Sequence, residues 1–87
     1  MKKFPLTIKV RIDGKPAKAQ VRLDGRAAWT VDKVRQETLS EGKHRLEWKR
    51  PGDSGWLRGP RVKVDGCGVI IDIQDDKATY RPFKNCN

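Results

Sequence analysis

Few residues of this 87-residue chain could carry catalysis. The tetrapeptide Gly52-Asp53-Ser54-Gly55 matches the sequence around the nucleophilic serine of trypsin-like proteases, and His44, the single histidine, is the one candidate base. Such a serine needs a base bound to it and an acid that orients the base. His44 alternates with Leu46 and Trp48, which predicts that it faces the core, and glycines beside an aspartate are typical of a turn. We therefore expect no enzymatic activity.

Candidate metal ligands are equally sparse. Zinc needs about four Cys or His ligands, usually in close pairs, whereas this chain has Cys67, Cys86 and one histidine. Asp72, Asp75 and Asp76 lack the spacing, the central glycine and the closing glutamate of a calcium loop, so a polar turn is the better interpretation. A disulfide between the two cysteines is geometrically conceivable, but unbridged cysteines are favoured in a reducing compartment. We expect no metal and no cofactor.

Positive charge is the strongest functional signal. The chain has 20 Lys and Arg against 11 Asp and Glu, a formal net charge of +9 at pH 7. Residues 1–50 contain 14 of the basic and 6 of the acidic residues (+8), and residues 51–87 contain 6 and 5 (+1). A concentrated cationic surface is typical of proteins that bind a polyanion, because each neutralised phosphate releases counterions.

Two sets of side chains are predicted to bind the polyanion. Alternation along the first hairpins places one set on an outer face, and a glycine-rich loop interleaves a tryptophan, which could stack on a base, with arginines. For this loop the alternative is that Trp56 and Leu57 fold back and cap the sandwich. The predicted basic face consists of Lys9, Arg11, Lys18, Arg22 and Arg26, and the predicted loop site consists of Arg50, Trp56, Arg58 and Arg61.

Strands must position these side chains. Apolar and polar residues alternate from Leu6 to Ile12, the pattern of a half-buried strand, and the Asp13-Gly14 pair that follows favours a type I′ hairpin turn. A two-residue turn there would pair Ile12 with Lys15 and continue the pairing as far as Leu6 and Val21. Such a hairpin would hold the cations of both strands on one side of one sheet.

The next turn is open to two interpretations. A two-residue loop at Asp24-Gly25 would direct Trp29 and Val31 to solvent, whereas a three-residue loop would turn both inward. The inward arrangement is favoured because burying a tryptophan stabilises a small domain by roughly 2–3 kcal/mol.

The later segments predict further short strands and no helix. Residues 34–39 form a weak strand or an irregular crossing, and residues 43–49, 61–65, 69–73 and 78–81 form strands, with one long loop at residues 50–60. We therefore expect one all-β domain over residues 1–87. It would be an immunoglobulin-like or transthyretin-like sandwich of about six to eight short antiparallel strands, with tails at residues 1–5 and 82–87.

Residues 16–73 resemble a PEGA domain, a small β-sandwich module. The resemblance rests on the segments 16–26 (PAKAQVRLDGR) and 39–48 (LSEGKHRLEW), followed by the paired strands up to Ile73. It implies a sandwich fold and a non-catalytic role in protein interaction or structure, within proteins that are often extracytoplasmic.

The charge pattern favours a non-enzymatic protein that binds a polyanion, with nucleic acid as the favoured class and another acidic macromolecule as a further option. The alternative is a PEGA-like protein-interaction or structural module, such as an adaptor or a small inhibitor that covers an acidic site on a larger partner. No apolar run approaches the ~20 residues of a membrane span, and no signal-peptide pattern follows the basic start. We therefore expect a cytoplasmic protein with no membrane partner.

Overall fold

The structure is a computed structural model that describes residues 2–83. Over these residues the chain forms strands joined by turns and loops, which confirms the all-β prediction, and it contains no helix that could cross a membrane. The nine strands are β1 (Lys3–Ile12), β2 (Lys15–Pro16), β3 (Lys18–Leu23), β4 (Trp29–Asp32), β5 (Val34–Ser40), β6 (Gly42–Lys49), β7 (Leu57–Val64), β8 (Val69–Gln74) and β9 (Lys77–Pro82). The count exceeds the predicted range because one expected strand is split into β2 and β3.

The strands form two sheets. In the first sheet β1 and β8 are central and parallel, β9 lies beyond β8, and both β5 and β2 pair with the other edge of β1. The parallel pair departs from the expected all-antiparallel arrangement. The second sheet has the order β4-β3-β6-β7 and is antiparallel throughout. The two sheets pack face to face as a sandwich.

Alternating side chains from both sheets fill the core. Every second residue is buried across residues 6–10 of β1, 44–48 of β6 and the whole of β3 and β8, as the period-two pattern predicts. The buried apolar residues are Leu6, Ile8, Val10, Leu39, Val69, Ile71 and Ile73 from the first sheet, and Ala19, Val21, Leu23, Val31, Leu46, Trp48, Val62 and Val64 from the second. The charged residues between these positions are directed to the outer faces, whereas Arg35 and Glu37 of β5 lie opposite the inward residues Ile8 and Leu6.

The first hairpin is much shorter than predicted. Its turn is confirmed, since Ile12 pairs with Lys15 and both residues of Asp13-Gly14 have the positive φ of a type I′ turn (53° and 74°). The pairing ends after two residue pairs, however, and from Ala17 the chain crosses to the second sheet, where β3 pairs with β4 and β6. The backbone of Lys33, between β4 and β5, forms hydrogen bonds on both sides of this crossing. Its carbonyl accepts from Val10 N at 3.0 Å, and its amide donates to Ala17 O at 2.9 Å. The crossing places the apolar residues of β3 across the core from those of β1, so each set buries the other.

The inward arrangement of β4 is confirmed. Trp29 pairs with Val21 and Val31 pairs with Ala19, so both β4 residues share the core side of their partners. Val31 is fully buried and Trp29 is half-buried. Asp24 and Gly25 both have positive φ, and the turn closes through a 3.1 Å hydrogen bond from Arg26 N to Leu23 O.

The loop predicted at residues 50–60 is shorter, because β7 begins at Leu57. The β6–β7 register shifts between the pairs Glu47–Arg58 and Arg45–Arg61, so Gly59-Pro60 forms a bulge, a position where a proline is tolerated. The predicted tails are also partly ordered as strand. β1 begins at Lys3 because residues 3–5 pair with β5, and β9 ends at Pro82. The rest of the C-terminal tail, from residue 84, lies outside the described residues.

Candidate polyanion-binding face

The structure separates the residues of the predicted basic face. Lys9 and Arg11 lie on β1 of the first sheet, whereas Lys18 and Arg22 lie on β3 of the second. The outward sides of the two sheets of a sandwich point in opposite directions. Arg26 lies in the turn after β3 and borders a separate depression beside His44. The prediction of one shared surface is therefore wrong, because the chain crosses between the sheets at Ala17 instead of completing a long hairpin.

A different set of cations shares the outward side of the second sheet. On β3, β6 and β7 the inward positions are apolar except for His44, so the residues between them face outward. Among the outward positions of these three strands, Glu47 is the one carboxylate, and Asp32 of the edge strand β4 lies opposite Lys18. The cations, which we call the basic sheet face, are Lys18, Arg22, Lys43, Arg45, Lys49, Arg58, Arg61 and Lys63.

The register places like charges directly opposite each other on this face. Arg45 pairs with Arg61 and Lys43 pairs with Lys63 across the β6–β7 ladder. Directly opposed residues on one face have Cβ atoms about 4.5–5.5 Å apart, and like charges at this distance destabilise the sheet. All four side chains are exposed, and no ion pair between any of them and a carboxylate is found within residues 2–83.

The pKa of Glu47 is lowered by the cations around it. It accepts a 3.1 Å hydrogen bond from Nε of Arg22 and lies opposite Arg58 on its other side. This hydrogen bond holds the pKa of Glu47 below its ordinary value against the opposing effect of partial burial, and the charges of Arg22, Arg45 and Arg58 lower it further. Glu47 thus forms an ion pair with Arg22, and the other cations of the face have no ion pair among residues 2–83.

Trp56 lies against the same face. The guanidinium carbon of Arg22 is 4.0 Å from the centroid of the Trp56 ring, and the Lys49 ammonium nitrogen is 5.1 Å away, both within cation–π range. Trp56 is half-buried, so part of the residue is exposed to solvent. Leu57, the next residue, packs against the core. The loop therefore does not cap the sandwich with both residues: Trp56 lies on the outer face, and only Leu57 turns inward.

Two shallow depressions lie on this face. The first, the loop depression, measures about 320 Å³ and is lined by Lys18, Gln20, Thr30 and Lys49 together with the loop segment 50–53. The second, the arginine depression, measures about 280 Å³ and is lined by Arg45, Glu47, Arg58 and Arg61 together with Leu46 and Gly59. Arg22 and Lys49, which hold Trp56, belong to β3 and β6, the central strands of the sheet.

Arg50 has a structural partner instead. Oδ2 of Asp53 accepts both Arg50 N at 3.0 Å and Arg50 Nε at 3.1 Å. These bonds, backbone first and side chain second, lower the pKa of Asp53. Arg50 therefore fixes the turn that forms one wall of the loop depression. Of the predicted loop site, Trp56, Arg58 and Arg61 join the basic sheet face directly.

The outward side of the first sheet carries charges of both signs. Lys9 lies beside Asp72 in the β1–β8 register, and Asp72 forms an ion pair with Arg81. Thr7 and Ile70 occupy the neighbouring outward positions. Positive charges on this face are therefore balanced by a neighbouring carboxylate, unlike most of those on the basic sheet face.

The single histidine is engaged within the fold. Nδ1 of His44 lies 2.6 Å from Oδ2 of Asp24, and Nε2 lies 2.8 Å from the carbonyl oxygen of Ser40. Burial alone would raise the pKa of Asp24, but the backbone N–H of Arg45 and the imidazole of His44 together hold it below its ordinary value. Both ring nitrogens thus have partners other than Ser54, so no protease-like pair is formed.

The other candidate ligand groups are also accounted for. Asp75 accepts a 2.8 Å hydrogen bond from Asp13 N, which is consistent with a polar turn. Across residues 2–83 no three His, Cys, Asp or Glu side chains are grouped closely enough to hold a metal. Cys67 is disulfide-bonded, so the favoured interpretation of an unbridged Cys67 is wrong. The other cysteine, Cys86, lies outside the described residues.

Sequence reasoning missed four cations of the face: Lys43, Arg45, Lys49 and Lys63. The alternation along β6 identifies its outward positions as polar, and the Val62-Lys63-Val64 pattern directs Lys63 outward. Neither pattern reveals that β6 lies between β3 and β7, which is the arrangement that brings these cations together. Comparison with known proteins adds no family to this description: no protein-family model, no curated protein and no solved structure matches the chain, so the resemblance to PEGA domains stays a prediction.

Proposed function

We propose that this protein is a non-enzymatic binding protein that uses the basic sheet face to bind a polyanion, with nucleic acid as the favoured class. The observation that carries the proposal is that two pairs of like-charged residues, Arg45 with Arg61 and Lys43 with Lys63, lie opposite each other on adjacent strands. An isolated domain gains nothing from such pairs, because they oppose folding. A bound polyanion would offset this repulsion, because its phosphates attract both cations of each pair.

The uneven distribution of charge supports the same proposal. An ordinary soluble surface mixes both signs, as the first sheet does around Asp72 and Arg81. The outward side of the second sheet instead presents the eight cations of the basic sheet face against two carboxylates, Glu47 and Asp32. A surface of this kind attracts phosphate chains over a distance, and contacts with phosphate carry no base specificity.

Paired charge reversals test the proposal. Arg58→Glu with Arg61→Glu changes the basic sheet face, and Lys9→Glu with Arg11→Glu makes the same change in net charge on the opposite sheet. Affinity for a fluorescent oligonucleotide is measured between 50 and 300 mM salt. The first pair should abolish binding and the second should weaken it only slightly. In the unchanged protein, the slope of log affinity against log salt should be steeper than about −2.

Two results would contradict the proposal. Equal losses in both double variants would show that net charge matters and the face does not. A slope shallower than about −2 would exclude binding through several phosphates. If no polyanion binds, the protein-interaction role in the manner of PEGA modules replaces the proposal, and an acidic protein surface becomes the expected partner of the same face. The cytoplasmic location likewise remains a proposal.

A further inference from the structure

The cations of the basic sheet face lie beside one half-buried tryptophan, Trp56, and this combination distinguishes among polyanions. The rings of Trp29 and Trp48 belong to the core side of their strands, whereas Trp56 lies on the outer face beside Arg22 and Lys49. A ring on a cationic surface can stack on a planar base but gains nothing from a phosphate chain that has no bases.

We infer that the ligand of the basic sheet face is single-stranded nucleic acid, with one base stacked on Trp56 and its neighbouring phosphates on the flanking cations. This inference rests on the proposed function and adds the ligand class to it. The loop depression would receive one side of the strand and the arginine depression the other, so that the chain crosses β3, β6 and β7 beside Trp56.

The second sheet is too wide to enter the major groove of a DNA duplex and read its bases. The major groove of B-DNA is about 12 Å wide and admits a helix or a two-stranded ribbon. The second sheet has four strands, and three spacings of about 4.8 Å make its backbone about 14 Å wide before side chains are added. Residues 2–83 contain no helix that could enter the groove in its place. A duplex could therefore touch this face only through its phosphates.

The chemistry of the loop depression fits an unpaired base. Gln20 and Thr30 are adjacent outward residues on β3 and β4, and both are uncharged hydrogen-bonding groups beside Lys18 and Lys49. An unpaired base exposes its hydrogen-bonding edge, which a base pair conceals, and single strands are recognised through stacking combined with such contacts. The face thus offers a stacking ring, polar groups and cations within one surface.

Substitutions of Trp56 test the inference with matched ligands. Trp56→Leu keeps an apolar side chain but removes the ring, and Trp56→Phe keeps a ring. Binding of each variant is measured with single-stranded DNA, single-stranded RNA, the corresponding duplex and inorganic polyphosphate, and a melting curve for each variant establishes that it is folded. Trp56→Leu should weaken binding of both single strands by about 5- to 150-fold, the value of one lost stack. Trp56→Phe should retain most of that affinity.

Polyphosphate and the duplex separate failure of the inference from failure of the proposed function. Polyphosphate should bind Trp56→Leu and the unchanged protein equally, because it has no base to stack. An equal loss for polyphosphate and single strands would mean that the ring only positions Arg22 and Lys49, and it would overturn the inference. Duplex binding as tight as single-strand binding would also overturn it while leaving the proposed function intact. Absence of binding to every ligand would overturn both.

Discussion

Removing one like-charged pair should stabilise the protein and weaken its binding at the same time. In Arg45→Gln with Arg61→Gln, the two opposed guanidinium groups are replaced by neutral side chains that still fit a strand surface. The backbone bond from Arg45 N to Asp24 Oδ1 (2.9 Å) is unaffected, because it does not involve the replaced atoms. Relief of the repulsion should raise the free energy of unfolding by about 0.2–1 kcal/mol.

The expected loss of binding follows from counterion release. Each phosphate contact with a single strand contributes about 0.7 to the slope of log affinity against log salt, so removal of two contacts should make the slope shallower by about 1.4. Urea unfolding measures the stability, and fluorescence anisotropy across a salt series measures the slope. Lys9→Gln with Arg11→Gln is the matched control, because it removes the same charge from the first sheet, where Lys9 lies beside Asp72.

The control variant, Lys9→Gln with Arg11→Gln, should be as stable as the unchanged protein or less stable. Its salt slope should stay close to that of the unchanged protein. Destabilisation by Arg45→Gln with Arg61→Gln would show that this pair is not repulsive in the folded state. A slope that changes equally in both double variants would refute the assignment of binding to one face. The double variant Arg45→Gln with Arg61→Gln must therefore be more stable than the unchanged protein and bind the polyanion more weakly.

Three further predictions concern single residues. Gly68→Ala should lower the free energy of unfolding by about 1–3 kcal/mol in urea titrations, because the added Cβ would lie 2.8 Å from a backbone carbonyl oxygen of β1. Gly55→Ala, with open space around it, should change it little. Glu47→Gln should tighten polyanion binding in anisotropy titrations, because it frees the arginine that Glu47 binds. Asp72→Asn on the first sheet should leave binding unchanged, and equal effects of the two substitutions would contradict this prediction. Asp24 has a folded pKa below its ordinary 3.8, so its contribution to stability is complete above that value and is lost as the pH falls through the folded pKa. The stability difference between the unchanged protein and Asp24→Asn should accordingly shrink in acid, and a constant difference would refute the assignment.

Local patterns predicted the local structure. The alternation in β1 and β6 identified which residues are buried, and the Asp13-Gly14 pair identified a type I′ turn, because both features depend on a few consecutive residues. The inward direction of Trp29 also followed from local reasoning, since one choice of loop length fixes which side of the strand faces the core.

The partner of each strand could not be predicted in the same way. The turn favoured a long hairpin between β1 and the following residues, but local pairing competes with burial across the sandwich. Once the chain crosses at Ala17, the apolar sides of β1 and β3 face each other through the core, and β5 takes the vacant edge of β1. This choice depends on residues that lie far apart in the sequence, so no short pattern contains it.

The same distinction explains why charge counted along the sequence did not locate the basic sheet face. Residues 51–87 have a net charge of only +1, yet β7 supplies three of the eight cations of the face: Arg58, Arg61 and Lys63. Their charge is masked in the count because the carboxylates of that half lie in turns or on the first sheet. Within a sandwich, strand parity decides whether a charge faces outward, and strand pairing decides on which side of the molecule it stands. A cationic surface can therefore be assembled from a nearly neutral stretch of sequence, and a stretch with +8 can be divided between opposite faces.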